Sequence, residues 1–181
     1  DILPILRNTL DIYEVNAQEK GITFLSDGLE GNAFVYTDAD KIVNILDNLL
    51  SNAFKYAPAG GFISVSFTEI ADNITLKVSN SGPTIPENKL ERIFERYYQI
   101  DGTTQEGRYN WGSGVGLYYA RKLAELHHGT LVCTNAEDGN GVCFTLSFPS
   151  GKESYSKEET DNGLSYKTLD QEQVITQPIP D

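Results

Sequence analysis

Four polar side chains recur at helical spacing in the middle of the chain. Asn44, Asn48, Asn52 and Lys55 follow one another at intervals of four, four and three residues, which places them on one face of a helix predicted over residues 39–56. A solvated helix face is one explanation, although such faces are usually richer in Glu, Lys and Gln because Asn is a poor helix former. Amide oxygens suit Mg²⁺ and a lysine suits a phosphate, so the stripe also fits a Mg²⁺–phosphate site. The stripe alone leaves both explanations open.

A glycine-rich turn, Gly-Ser-Gly-Val-Gly-Leu over residues 112–117, leads into a helix predicted at Val115–His127. Glycines let a backbone approach a phosphate closely, and a helix N-terminus offers free N–H groups and the positive end of its dipole. A flexible turn would have the same composition. A dinucleotide-binding fingerprint is excluded because polar loop residues, Gly102–Trp111, stand where a strand is needed. A P-loop is excluded because Leu117 and Tyr118 follow where Lys and Ser or Thr are required.

Two further segments stand between the stripe and the turn. Asn80–Pro86 reads Asn-Ser-Gly-Pro-Thr-Ile-Pro, and Phe94–Tyr98 reads Phe-Glu-Arg-Tyr-Tyr. Taken singly, the first fits an ordinary strand-to-helix turn and the second a helix end with a packed aromatic pair. With Asn48–Tyr56 before them and the glycine turn after them, they resemble the N, G1, F and G2 boxes of the histidine kinase ATP-binding catalytic domain. That domain belongs to the gyrase/chaperone/histidine kinase/MutL ATPase superfamily, and the resemblance spans about residues 1–149.

The resemblance implies a Bergerat fold that binds ATP and Mg²⁺ between the 39–56 helix and a flexible lid at about residues 99–111. It implies that Asn48 and Asn52 hold the Mg²⁺–phosphate group and that Lys55 and Arg96 position phosphate. The nucleotide-binding residues that it implies are Asn48, Asn52, Lys55, Tyr56, Asn80, Gly82, Ile85, Arg96, Gly112, Ser113, Gly114, Val115, Gly116 and Leu117.

Within that set, the resemblance implies that Tyr56 packs near the adenine or the ribose and that Gly82 gives the base room. Asn80 stands where the family usually has an Asp that receives the adenine amino group. An Asn still accepts this proton, but without the charge that strengthens such a bond. Thr84 replaces a glycine of the usual pattern, which narrows the freedom of the turn. These two departures keep open a non-catalytic module that docks partners without a nucleotide.

The residue at position 48 separates the branches of the superfamily. Hydrolases and serine kinases of this superfamily resemble one another in placing a Glu there as a general base. Asn48 cannot take a proton and a neutral imidazole needs no base, so the residue favours phosphoryl transfer to histidine. A hydrolytic ATPase or a serine kinase of the same fold remains the alternative.

The chain has two histidines, His127 and His128, and both fall at the predicted end of a helix. Helix-end histidines usually act as capping or dipole-compensating residues. We therefore expect the phosphoacceptor histidine on a separate helical dimerisation domain of a two-component sensor kinase, preceding Asp1. A response regulator receiver domain is the further expected partner. The chain itself should bind ATP without phosphorylating itself.

The motifs need a particular set of elements to position them. Helical periodicity predicts helices over residues 4–20, 39–56 and Val115–His127, with a short helix starting within 86–99. The 39–56 helix begins with a possible capping pair between Thr37 and Asp40. Alternating apolar and polar residues predict a hairpin of strands Phe62–Ile70 and Asn73–Asn80. Further strands are predicted at Ile22–Leu25 and Asn32–Tyr36, and a final hairpin at Thr130–Asn135 and Gly141–Phe148. Helices on one face of a mixed, mostly antiparallel sheet make an α/β two-layer sandwich.

Charge and composition exclude several classes of partner. The 181 residues carry a formal net charge of −12, which repels nucleic acid and anionic membranes, so neither is an expected partner. No apolar run is long enough to span a membrane. We expect a cytoplasmic domain of a parent protein anchored in the inner membrane. Cys133 and Cys143 flank a predicted turn and are expected to be reduced thiols.

The end of the chain, residues 150–181, differs in composition from the rest. It holds three Lys against seven Asp or Glu and has few large aliphatic residues. Such a segment cannot bury much apolar surface. We expect it to be an acidic, extended or disordered linker, for example into the receiver domain of a hybrid kinase.

Overall fold

The computed structural model describes residues 1–100 and 113–162, and five strands form a single sheet within them. The strands are β1 (Thr23–Asp27), β2 (Phe62–Ile70), β3 (Asn73–Asn80), β4 (Thr130–Asn135) and β5 (Val142–Pro149). They pair in the order β1-β2-β3-β5-β4. β1 runs parallel to β2, and the other neighbouring pairs are antiparallel. The mixed, mostly antiparallel sheet expected from the sequence is confirmed.

Three long helices form a second layer on one face of this sheet: α1 (Leu3–Lys20), α2 (Ala39–Tyr56) and α3 (Gly116–Leu126). α2 lies between the other two and packs on β3, while α3 packs on β4 and β5. A short helix, α4 (Lys157–Asn162), follows the last strand. The two-layer sandwich is confirmed. In the ranges that the structure describes, no helix combines the length and the apolar character needed to cross a membrane.

Alternation along the central strands decides which face of the sheet the helices cover. On one face, β3 and β5 bring apolar side chains to the same rungs of the ladder and bury them almost completely. These are Ile74, Leu76, Val78, Phe144, Leu146 and Phe148. The other face carries small polar side chains such as Thr75 and Ser147, whose hydroxyl oxygens are 3.4 Å apart. A shift of the strand register by one residue would expose these apolar side chains, at a cost of about 1.5–3 kcal/mol for each large one.

The start of α2 is fixed by Asp38. Its side-chain Oδ1 accepts hydrogen bonds from the backbone N–H groups of Asp40 (3.1 Å) and Lys41 (3.3 Å). The expected capping pair between Thr37 and Asp40 is therefore wrong, because Asp38 is the N-cap and its extended backbone places the carboxylate over those N–H groups. The Thr37 hydroxyl is buried and has no hydrogen-bond partner among the described residues. The Asp38 N-cap stabilises the fold by about 1 kcal/mol.

Two of the predicted elements take another form. Residues 32–36, predicted as a strand, form an irregular segment. It is held by isolated backbone hydrogen bonds, among them Ile2 N to Ala33 O (2.9 Å) and Tyr36 N to Ser150 O (2.8 Å). Ala33 is the one residue of this segment that is buried, so the segment lacks the apolar face that would seat a strand on the helices. Residues 86–99, predicted to start a helix, form two separate 3₁₀ turns, Glu87–Lys89 and Arg92–Phe94. The second turn ends because Glu95 is extended.

The acidic segment after β5 begins with ordered helical turns. A 3₁₀ turn, Lys152–Ser154, precedes α4, and both return towards the end of α3. The Tyr155 hydroxyl donates to His127 O (3.3 Å), and His128 Nε2 lies 2.9 Å from Glu159 Oε1. Hydrogen bonds from Ser156, with a further one from His128, lower the pKa of Glu159 to about 2. Residues 163–181, for which an extended linker is expected, lie outside the described residues.

The two cysteines are free thiols. Cys133 pairs across the hairpin with Phe144, and Cys143 pairs with Thr134, so the two thiols sit on neighbouring rungs and opposite faces of the sheet. Cys133 is buried in the core, where burial raises its thiol pKa to about 12. A disulfide between them is excluded by this register, and the expectation of reduced thiols is confirmed.

His127 forms the C-cap of α3 and is completely buried. Its Nδ1 lies 2.8 Å from Leu123 O, and its Nε2 has no hydrogen-bond partner among the described residues. The ring packs edge-on against Phe148, with centroids 6.2 Å apart. The prediction that the histidines end the helix is confirmed, and the burial of His127 leaves no nitrogen accessible to a phosphoryl donor.

We expect a fall from about pH 7.5 to about pH 5.5 to destabilise the domain through His127. Burial holds the pKa of His127 below its ordinary value of 6.5. The unfolded chain therefore binds a proton in this range that the folded chain does not bind, so the free energy of unfolding decreases as the pH falls. His127→Gln should lose part of this decrease, measured by urea denaturation at the two pH values. The same decrease in the variant and the parent chain would contradict this assignment.

Candidate functional site

A cavity of about 460 Å³ opens between α2, the loop after β3 and the start of α3. A volume of this size suits a ligand as large as a nucleotide. Ten of the residues predicted from the sequence line it: Asn48, Asn52, Lys55, Tyr56, Asn80, Ile85, Ser113, Gly114, Gly116 and Leu117. Gly82, Arg96 and Val115 lie outside its wall, and Gly112 is outside the described residues.

The polar wall of the cavity is the Asn–Lys face of α2. Asn48 Nδ2 donates to the carbonyl oxygen of Asn44 (2.8 Å), which fixes the orientation of the amide. Its Oδ1 then faces the first residue of α3, since a Cβ on Gly116 would lie 2.6 Å from that oxygen. Asn52 and Lys55 continue the same wall. Asn44 itself does not line the cavity and acts on it through its backbone.

Lys55 is the cation of this wall, because no other described lining residue carries a positive side chain. Its exposed ammonium lies 5.0 Å from the ring centroid of Tyr56, which also lines the cavity. The exposed guanidinium of Arg96 lies 4.7 Å from the ring centroid of Tyr97 and does not reach the wall. A ligand at this end meets one fixed positive charge and two side-chain amides.

At the opposite end Asn80 closes the cavity floor. It ends β3, pairs with Ile63 on one side and Val142 on the other, and is 2% exposed. Its Nδ2 donates one hydrogen bond to Ser81 O (2.9 Å), which orients the amide and leaves its oxygen as the acceptor of the side chain. That oxygen is an acceptor for an N–H group of a ligand.

Gly82 is required for a backbone reason. Its φ is +143°, and a Cβ there would lie 2.7 Å from the carbonyl oxygen of Tyr56. The chain passes so close to the end of α2 at this point that a side chain has no space. Gly82 therefore brings the loop after β3 against α2 without itself lining the cavity.

The glycine turn is braced on the Phe94–Tyr98 segment. Gly114 has φ +68°, and a Cβ on it would lie 2.9 Å from Tyr97 Cα. Tyr97 N donates to Gly114 O (2.9 Å), and Tyr97 itself has φ +66°. α3 then starts at Gly116 with its first N–H groups at the cavity, where the helix dipole favours an anion.

An exposed salt bridge joins Glu91, which precedes the Phe94–Tyr98 segment, to Arg121 on α3. Arg121 Nη1 lies 2.6 Å from Glu91 Oε2, and the guanidinium lies 4.9 Å from the ring centroid of the buried Phe94. The hydrogen bond from Arg121 lowers the pKa of the Glu91 carboxyl. Glu91 is exposed, so this pair contributes little on its own, and its effect is to align Arg121 over Phe94.

Half of the residues that line the cavity are not among the nucleotide-binding residues predicted from the sequence. The additional lining residues are Ser51, Pro83, Thr84, Pro86, Ile93, Tyr98, Gln99, Ile100, Val142 and Phe144. Val142 and Phe144 follow the inward alternation of β5, so their pattern is the same as that of core residues such as Leu146. Nothing in the sequence marks Val142 and Phe144 as ligand contacts.

The residues present fit a divalent cation that arrives with a phosphate ligand. In residues 1–100 and 113–162, no group of three His, Cys, Asp or Glu side chains could hold a metal by itself. The amide oxygens of Asn48 and Asn52 are hard ligands, and Mg²⁺ commonly binds through few protein groups together with phosphate oxygens and water. Asn48, with its amide already oriented by Asn44 O, would hold such an ion.

Comparison with known proteins gives a consistent answer. A family model described as "Histidine kinase-, DNA gyrase B-, and HSP90-like ATPase" matches residues 37–152. Sensor histidine kinase TmoS of Ectopseudomonas mendocina is 38% identical over 151 residues, which is 82% of this chain and 15% of TmoS. The chain therefore spans a small part of the length of this curated relative.

Solved structures agree with the sequence comparison. The nucleotide-free catalytic domain of histidine kinase ThkA matches with a TM-score of 0.70 and 27% identity, covering 84% of this chain and 94% of that one. ThkA in complex with the response regulator TrrA matches with a TM-score of 0.68 and 27% identity, covering 84% and 41%. The Bergerat fold expected from the sequence is thereby confirmed.

Gly116→Ala is expected to weaken the binding of a non-hydrolysable ATP analogue by about tenfold, or about 1.4 kcal/mol. The added Cβ would displace the Asn48 amide from its position 2.6 Å away. Stability should change little, because the gain of up to about 1 kcal/mol from Ala in place of Gly in a helix offsets the loss of about 1 kcal/mol from the displaced Asn48 hydrogen bond. Calorimetric titration and thermal unfolding measure the two effects.

Gly139→Ala is the matched control. No atom lies within 4 Å of its added Cβ, but φ at this position is +72°. This variant should lose about 1–2 kcal/mol of stability and keep its affinity. Equal affinities of the two variants would contradict the role given to Gly116.

Proposed function

The chain belongs to the family of histidine kinase-, DNA gyrase B- and HSP90-like ATPases, and from this premise we propose that it is the catalytic domain of a sensor histidine kinase. In this proposal the cavity binds Mg·ATP, and the γ-phosphoryl group passes to a histidine on a separate helical dimerisation domain. The observation that carries it is the oriented Asn48 amide, which faces the start of α3 across the polar end of the cavity.

The two ends of the cavity suit the two ends of ATP. The apolar residues Ile93, Val142 and Phe144 would receive the adenine ring, with Asn80 Oδ1 accepting a hydrogen bond from its amino group. Asn48, Asn52 and Lys55 would hold the triphosphate and its Mg²⁺, and the first N–H groups of α3 would bind phosphate oxygens. When bound, Mg²⁺ would neutralise phosphate charge.

The proposed reaction needs no proton acceptor on this domain. A neutral imidazole nitrogen forms a bond to the γ-phosphorus while the bond from that phosphorus to the bridging oxygen breaks and ADP leaves. Asn48 occupies the position where a general base would stand, and an amide cannot take a proton. The contribution of the domain is therefore the positioning of ATP and the neutralisation of charge.

In this proposal Arg96 binds phosphate only if its side chain changes conformation. It was expected to position phosphate, and in the structure its guanidinium stacks on Tyr97 outside the cavity wall. A contact with phosphate would require the side chain to leave that ring. An exposed cation–π contact is worth about 0.5–1 kcal/mol, so a charged hydrogen bond to phosphate could replace it.

The proposed partners follow from the positions of the histidines. His127 is buried, and the exposed His128 follows the C-terminal end of α3, whereas the cavity lies at the N-terminal end of that helix. Neither histidine is therefore placed to accept a phosphoryl group from the cavity. We propose that the acceptor lies on a helical dimerisation domain and that a response regulator receiver domain takes the phosphoryl group next. The complex of the structural relative ThkA with a response regulator supports the second partner.

Asn52→Ala is expected to reduce the affinity for Mg²⁺ and a non-hydrolysable ATP analogue by ten- to a hundred-fold, about 1.4–2.7 kcal/mol. The variant loses one amide of the phosphate wall. Asn8→Ala is the matched control, because Asn8 is an exposed helical Asn on α1, away from the cavity. Titration calorimetry measures all three proteins. No binding by the parent chain at millimolar nucleotide would favour the partner-docking module for which Asn80 and Thr84 leave room.

With γ-labelled ATP, the chain alone is expected to remain unlabelled and to release no phosphate over many turnovers. Its described part places no histidine beside the cavity, and position 48 is an Asn, which cannot act as a general base. Label on the protein and free phosphate are measured in the same reaction. Steady phosphate release would instead support the hydrolase of the same fold.

A further inference from the structure

One side-chain amide outside the cavity wall holds the backbone of a residue that lines it. Asn135 Oδ1 accepts a hydrogen bond from Ile85 N (2.8 Å), and Asn135 Nδ2 donates to Ile85 O (2.7 Å). Both backbone groups of Ile85 are thus bound by one side chain from another part of the chain. The arrangement imitates a rung of a β-ladder with an amide side chain in place of a strand.

The loop after β3 has little else to hold it. Ser81 N still bonds to Phe62 O, and Lys89 N bonds to Pro86 O (2.7 Å). Between them, no backbone–backbone hydrogen bond of residues 82–85 is found within the described part of the chain. Pro83 has no N–H group to donate, and its side chain and that of Thr84 are exposed. The Asn135 amide is therefore the main polar restraint on this stretch.

Asn135 is itself rigidly placed. It ends β4 and pairs with Val142, which pairs on its other side with Asn80. Ile85, Val142 and Asn80 all line the cavity at its apolar end. The two hydrogen bonds therefore tie the loop to the same rung of the sheet that carries the cavity floor.

We infer that Asn135 is a positioning residue for the base end of the nucleotide site. It holds Ile85, and with it Pro83 and Thr84, at a fixed distance from Val142 and Asn80. The inference rests on the proposed function, because it assigns the apolar end of the cavity to adenine. It also explains how a loop with Thr84 in place of a glycine keeps a defined shape: the shape is imposed from β4.

The chemistry of the pair makes it specific for an amide. Ile85 presents one donor and one acceptor, and an Asn side chain offers one acceptor and one donor in matching geometry. An Asp at position 135 would keep the bond from Ile85 N and lose the bond to Ile85 O. An Ala would lose both. The three side chains therefore form a graded series of two, one and no hydrogen bonds, in which Asn and Asp have nearly the same size.

The test compares Asn135→Ala and Asn135→Asp with Asn140→Ala, whose exposed side chain lies in the turn of the same hairpin. Two readouts are taken at a temperature where all variants are folded. The first is hydrogen exchange of the Ile85 amide in the nucleotide-free protein. The second is the affinity for Mg²⁺ and a non-hydrolysable ATP analogue by calorimetry.

We expect exchange of the Ile85 amide to be faster by about tenfold or more in Asn135→Ala and close to that of the parent chain in Asn135→Asp. Nucleotide affinity should fall about tenfold in the Ala variant and by less in the Asp variant. Asn140→Ala should change neither. A merely structural role would lower the melting temperature without this selective exposure of one amide.

The outcomes separate this inference from the proposed function. Unchanged exchange at Ile85 in Asn135→Ala would overturn the restraint, and unchanged affinity beside faster exchange would overturn its role at the site. If the parent chain binds no nucleotide, the proposed function fails and the assignment of Asn135 to a base site falls with it, while the exchange data still decide whether Asn135 holds the loop.

Discussion

The burial of α2 fixes the site, because one helix carries both the centre of the core and the polar wall of the cavity. Ile45, Leu46, Leu49 and Leu50 are fully buried between the sheet and the neighbouring helices. Each such side chain stabilises the fold by about 1.5–3 kcal/mol, whereas an Asn in a helix costs about 0.7 kcal/mol relative to Ala. The apolar stripe therefore outweighs the unfavourable asparagines and sets the rotation of the helix. Turning the helix by one residue would move Asn48 and Asn52 about 100° from the cavity.

The two ends of the cavity are held by different kinds of contact. The apolar end is built on the sheet, where Asn80 lies between β2 and β5 and Val142 lies between β3 and β4. The polar end is assembled from separate segments: Asn48 faces Gly116, and Tyr97 bonds to Gly114. A backbone ladder forms and breaks as a unit, but contacts between segments can change one at a time. Differences between liganded and free states should concentrate at the polar end.

Sequence patterns predicted the parts of this molecule that are periodic. The bounds of α2 and of both hairpins agree with the structure, apart from a shift of one residue in β5, because their apolar repeats run over several turns or rungs. Residues 32–36 were predicted as a strand, yet a strand also needs a continuous ladder of backbone hydrogen bonds, and this segment makes isolated ones outside the five-stranded sheet. The site shows the same limit. Asn48 and Gly116 belong to linear motifs. Val142, Phe144 and Asn135 are placed at the site by the pairing register of β4 and β5, which cannot be read from a linear motif.

The charge of the molecule decides which groups must hold the ligand. The chain carries a net charge of −12, and ATP is itself a polyanion. At physiological ionic strength charges are screened over about 8 Å, so the distant acidic surface matters less than the groups at the cavity. Lys55 is the one positive side chain on the described wall, and a single ammonium cannot balance a triphosphate. In the proposed function, the remaining compensation would come from neutral dipoles and from a metal ion that arrives with the nucleotide. In the proposed function, the first N–H groups of α3 would supply the dipoles, and the amide oxygens of Asn48 and Asn52 would supply ligands for that ion. On this proposal, asparagines suit the polar wall better than lysines would, since amide oxygens can coordinate a cation that a second lysine would repel.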